Sequence, residues 1–134
     1  MSASPNPIEQ SFELAALRCA DLTPLVYQRL FNEHPETRAM FRSQGSEPVM
    51  GSMLALTIEA LLDFAGPRNG HFRLIACEVV SHDGYGTPRE LFIAFFAVIR
   101  DTLRELLDDE WSAEMAQAWD QLLVEIEAFA GIAA

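Results

Sequence analysis

Helical periodicity runs through this chain, and no segment alternates as a strand between turn signals would. Ile8, Phe12, Ala15, Ala16 and Cys19 fall on one face of a first helix. Thr23-Pro24 reads as an N-cap followed by a first-turn proline. The helix it opens carries Val26, Tyr27, Leu30 and Phe31 inward. His34-Pro35 interrupts it, because proline crowds the helical conformation of the residue before it. A short helical turn then reaches Met40 and Phe41. After the polar stretch 42–47, Pro48 opens a long helix. Its stripe is wide: Met50, Met53, Leu54, Thr57, Ile58, Leu61 and Leu62, ended by Gly66-Pro67. A further helix is expected from about His71 to His82, broken by Gly84 and Gly86. Thr87-Pro88-Arg89-Glu90 is another start signal, for a helix reaching about Leu107. Ser112 is placed to cap the last one, whose inward face is Met115, Trp119, Leu122, Leu123, Ile126 and Phe129.

A chain of 134 residues suits one domain, here 1–134, and 50% hydrophobic residues suffice for a real core. Periodicity therefore predicts an all-α domain of six or seven helices, with no repeat or linker. The net charge is −11, and all nine basic residues are arginine. So acidic a surface repels phosphate backbones and anionic lipid, which argues against nucleic-acid and membrane partners. The longest apolar run, Leu91 to Ile99, is too short to span a bilayer and is closed by Arg100. The segment MSASPNPIEQ has no basic stretch leading into an apolar one, so no signal peptide is read there and a cytoplasmic location is expected. Cys19 and Cys77 form no zinc, redox or covalent cofactor-attachment pair, and both are expected as buried free thiols.

Three segments carry more than periodicity. Leu30-Phe31-Asn32-Glu33-His34-Pro35-Glu36 leads, after four intervening residues, to Phe41. Ser81-His82-Asp83-Gly84-Tyr85-Gly86-Thr87 follows, with His82 forty-one residues after Phe41. Leu106-Leu107, Trp111 and Ala118-Trp119 close the pattern. In this order, on a helical background, the chain resembles a bacterial single-domain globin and is similar to the globin domain of flavohaemoglobins. The first segment matches the B-to-C helix corner, the second the proximal histidine region, the third the G-to-H region. The resemblance implies a three-over-three globin fold, lacking the D helix because the loop after Phe41 is short.

The resemblance also implies haem b, bound non-covalently, with His82 as the metal ligand. Haem iron takes a neutral imidazole nitrogen as axial ligand, and the second ring nitrogen is then fixed by a hydrogen bond. Phe41 would lie flat on the porphyrin. Met50, Met53, Leu54, Tyr85, Thr87, Phe92 and Phe95 would complete the lining, and Arg42, Arg73 and Arg89 are candidates for the propionates. His34 matches the corner motif without reaching the iron, and His71 reads as surface. On the distal, gas-binding side stand Tyr27, Met50 and Leu54. A tyrosine hydroxyl there would donate to the partial negative charge of a bound O₂, worth roughly 1.5–3 kcal/mol or about ten- to a hundredfold in release.

Two positions depart from the family pattern. Met50 falls where Gln or His is usual, and a thioether donates no hydrogen bond. It reads either as a flexible apolar gate or, with Met53, as an axial ligand when no gas is bound. Phe92 replaces the tyrosine that in flavohaemoglobins helps polarise the proximal histidine. Reversible binding of O₂, CO and NO is thus the leading expectation. NO dioxygenase activity with an external reductase is the enzymatic alternative, and a haem-free interaction module a third reading. Monomer and homodimer both stay open.

Overall fold

The computed structural model describes residues 6–40, 47–66 and 89–133. Helix α1 spans Pro7–Arg18, α2 Thr23–Glu33, α3 Glu36–Met40 and α4 Glu47–Ala65. Helices α5, Arg89–Leu107, and α6, Ala113–Ala133, are joined by a 3₁₀ turn at Asp108–Glu110. No strand occurs among the described residues. The helix expected from His71 to His82, Cys77, and residues 42–46 of the loop on which the missing D helix was read lie outside them, while Glu47, read as the last loop residue before a helix opened by Pro48, already belongs to α4.

Local chemistry sets the helix ends. The Asn6 side-chain oxygen accepts from the Ile8 N–H at 2.8 Å, capping α1. Its amide nitrogen donates to the Ala65 carbonyl at 2.7 Å, so one side chain caps α1 and ties it to the end of α4. His34 closes α2 by donating its N–H to the Leu30 carbonyl at 2.8 Å. Gly66 follows α4 where an added Cβ would lie 2.9 Å from the Leu62 carbonyl oxygen, which a larger residue could not tolerate without a backbone shift. Ser112 caps α6 as expected, its Oγ accepting from the Met115 N–H at 3.1 Å.

Thr23 does not play the cap role expected of it. It is already helical, with Leu22 at the N-cap. The reason is that Val26 donates its N–H to the Leu22 carbonyl at 2.9 Å, which begins the helix one residue early. Asp21 supplies the side-chain acceptor instead, taking the Thr23 N–H at 3.0 Å. Hydrogen bonds from the Thr23 side chain and backbone hold the Asp21 carboxyl below its ordinary pKa.

Helix α5 lies against α1, α2 and α6, while α4 packs on α1 and α2. The core is built from Val98, Ile99, Leu103 and Leu107 of α5, Met115, Trp119 and Ile126 of α6, Val26 and Leu30 of α2, and Leu61 and Phe64 of α4. The inner face of α1 is rotated from the expected one. Ser11 is fully buried, whereas Ala16 is exposed. Cys19, expected to be buried, is partly exposed because α1 ends at Arg18 and Cys19 itself is extended. Its thiol donates to the Asp21 carbonyl at 3.1 Å. Burial of Ser11 is made tolerable by complete pairing: its Oγ donates to the Ile8 carbonyl at 2.6 Å and accepts the Trp119 indole N–H at 3.1 Å.

The corner after α5 is polar and solvated, with Asp108, Asp109 and Glu110 exposed. Asp108 is left-handed at φ 47°, a conformation that Asp tolerates better than most residues. Arg18 reaches this corner from α1. It donates to the Leu106 carbonyl at 2.9 Å and pairs with Glu110.

Candidate functional site

Tyr27 is the polar centre of the site. Helical spacing puts it on the inner side of α2, where it is 3% exposed. Its ring packs at 5.6 Å centroid distance from Phe95 of α5 and at 6.1 Å from Phe31, one turn along α2. These tilted rings fix the phenol between two helices. Its hydroxyl donates to the Met50 backbone carbonyl of α4 at 3.0 Å. Burial pushes the Tyr27 phenol well above its ordinary pKa, because a phenolate would lose its hydration there. The group therefore stays protonated, and a protonated phenol is a donor.

Apolar groups from α4 complete the wall. Leu54 is buried in the same core as Tyr27. Met50 and Ile58 are partly buried hydrophobics packed against that core, as are Phe31 and Phe95. Met53 is also partly buried. Thr57 lies on this helix too, and its hydroxyl donates back to the Met53 carbonyl at 2.7 Å. The Arg38 guanidinium of α3 sits 4.9 Å from the Phe31 ring centroid, a cation–π contact at the outer end of the aromatic row.

Of the residues singled out from the sequence, Tyr27, Met50, Leu54 and Phe95 are thus brought together from α2, α4 and α5. Phe92 lies on α5, but its side chain is outside the described residues, as is that of Arg89. Phe41, Arg42, Arg73, His82, Tyr85 and Thr87 lie outside them altogether. His34 serves the α2–α3 corner, its carbonyl accepting the Thr37 hydroxyl at 2.6 Å. Sequence reasoning passed over three parts of the site: Phe31 as a ring partner, Arg38, and the Met50 carbonyl. The four-residue spacing of Tyr27 and Phe31 was the available signal for the first.

A model of the Globin family matches residues 25–129, most of the chain. The chain belongs to the globin family. An all-α globin fold follows, and with it haem binding and the binding of diatomic gases such as O₂ in general. Comparison with curated proteins and with solved structures gave no match. The described part of the globin suits haem: α2, α4 and α5 bring together the apolar side chains of Leu54, Met50, Phe31 and Phe95, which fit an apolar group, and the protonated Tyr27 hydroxyl stands among them. Among the described residues, no helix is long and apolar enough to cross a membrane.

Proposed function

We propose that this globin holds haem b non-covalently and binds O₂, CO and NO reversibly, as a bacterial single-domain globin similar to those of flavohaemoglobins, working in the cytoplasm. The observation that carries the reading is the buried Tyr27 hydroxyl, kept protonated among Leu54, Phe31 and Phe95 in a chain of the globin family. When bound, the haem supplies an iron that takes a diatomic gas. His82 would be its protein ligand, presenting a neutral imidazole nitrogen. Phe41, Tyr85, Thr87, Phe92 and Phe95 would hold the porphyrin together with Met50, Met53 and Leu54. Apolar groups so placed would exclude water, which strengthens any hydrogen bond made inside. Tyr27 would be the donor to a gas ligand, at the expense of its present bond to the Met50 carbonyl, while the Met50 side chain has no proton to give.

The test is the ultraviolet–visible spectrum of the protein expressed with adequate haem supply, beside His82→Ala. Ferric, dithionite-reduced and CO-treated samples are compared. The wild type is expected to show a Soret band that shifts on CO addition, and the variant to lose or weaken it. A wild type that takes up no haem overturns the reading.

A further inference from the structure

We propose that the solvent face of α6 docks a basic helix of a partner protein. The inference goes beyond the haem reading and does not rest on it. Helical spacing puts Ala113, Gln117, Gln121, Val124 and Ala128 in one row along α6, and all five are exposed. The row runs about 22 Å at 1.5 Å per residue and holds no charge. Acids border it on both sides, Glu114 and Glu125 on one, Asp120 and Glu127 on the other. A solvated helix face is steadied by opposite charges three or four residues apart. Helices α2 and α5 follow that rule, with Arg29 against Glu33 and Arg104 against Asp101. Helix α6 cannot, because none of its residues is basic. Asp120 takes Arg100 from α5 at 3.2 Å, whereas Glu114 and Glu127 pair with nothing among the described residues.

An uncharged centre inside a charged rim is the anatomy of a protein contact, whose core is depleted of charge while its rim stays polar. Ala113 and Ala128 leave room for a second helix axis, and Val124, 62% exposed, offers it an apolar side chain. A second copy of this chain does not fit. Both borders of the row are acidic, so any two-fold contact through it sets like charges against each other. The complementary occupant is a helix with small or apolar residues in its seam and Arg or Lys on both flanks, the arrangement by which paired helices choose partners. The net charge of −11 steers such a partner in from a distance. One helix face is a small interface, below the roughly 1,200 Å² of stable complexes, so the contact is a transient one.

The experiment follows the fluorescence anisotropy of a labelled synthetic helix added to the full chain. Its seam is alanine and leucine and its flanks are arginine. A second peptide has the same composition with the arginines spread around the helix. The flanked peptide is expected to bind, and the spread one to bind about tenfold more weakly. Val124→Arg sets a cation in the middle of the row and is expected to weaken binding about tenfold or more. Leu56→Arg on α4 is the control, because it changes the net charge equally at another exposed apolar residue, and binding is expected to stay near the wild-type value. Both positions face solvent, and circular dichroism checks that both variants remain helical. Equal weakening by the two variants means that net charge alone attracts the peptide, and overturns the proposal. Equal binding of the two peptides, or no binding of the flanked one, overturns it as well. A wild-type dimer in sedimentation that Val124→Arg dissociates puts a second copy on the face and refutes the basic partner. Haem content enters none of these readings, so a failed Soret test leaves this inference standing.

Discussion

Ser11 sits where an α1 side chain meets α6, with its hydroxyl donating to Ile8 and accepting from Trp119. Both partners are sealed from water, so losing the hydroxyl strands the indole N–H. Ser11→Ala is expected to lower the unfolding free energy by about 1–3 kcal/mol, read from urea denaturation. The double variant Ser11→Ala/Trp119→Phe is expected to cost less than the two single changes added, because the orphaned donor is gone too. Strict additivity would mean that the indole does not depend on Ser11. This serine was passed over in the sequence because serine is ordinarily a surface residue, although its position falls on the same face as Ile8, Phe12 and Ala15. Tyr27 was legible, because it sits beside Val26 and Leu30 on a helix with a clear inner side. Its acceptor was not, because a backbone carbonyl such as that of Met50 is common to every residue type. His82 and Phe41 lie outside the described residues, and motif spacing alone carries them into the functional proposal.

At the scale of elements, punctuation was easier to read than faces. Pro24, Pro35, Ser112 and Gly66 marked four boundaries to within a residue, because proline, a serine cap and a glycine act through the local backbone. Where the reading slipped, at Thr23, the acceptor came from Asp21, a competition among neighbours that residue type alone does not rank. Asn6 joins elements in a way no cap motif announces, since its second bond reaches Ala65 of α4. Asn6→Ala removes both the α1 cap and this tie, and should exceed the ~1 kcal/mol of an ordinary cap. Asn6→Asp keeps the cap and replaces the donor with a carboxylate facing the Ala65 carbonyl. Thermal unfolding at neutral pH should rank wild type above Asn6→Asp. Equal melting temperatures for these two would show that the tie to α4 contributes nothing.

Over the whole molecule, 20 acidic residues face nine arginines, and the excess repels itself. Pairs such as Arg100 with Asp120, or Arg29 with Glu33, are exposed enough at their acidic ends to be worth little. Screening should therefore relieve more repulsion than it removes attraction. Melting temperature is expected to rise as sodium chloride increases from about 0.01 to 0.15 M, over which the Debye length falls from roughly 30 to 8 Å. A falling melting temperature would mean that the surface ion pairs dominate. The route by which α1 is held has a consequence for how the molecule is made. The groups that receive Arg18 lie 88 and 92 positions further along the chain, and Trp119 lies 108 positions beyond Ser11. At a translation rate of roughly 5–20 residues per second, α1 emerges from the ribosome about five to twenty seconds before the indole that completes it. During that interval the part of its inner side that packs on α6 is bare, a ready target for a nascent-chain chaperone. The fold closes only after α6 has left the exit tunnel, so a ribosome stalled before Trp119 would leave uncovered the faces of α1 and α5 on which α6 packs.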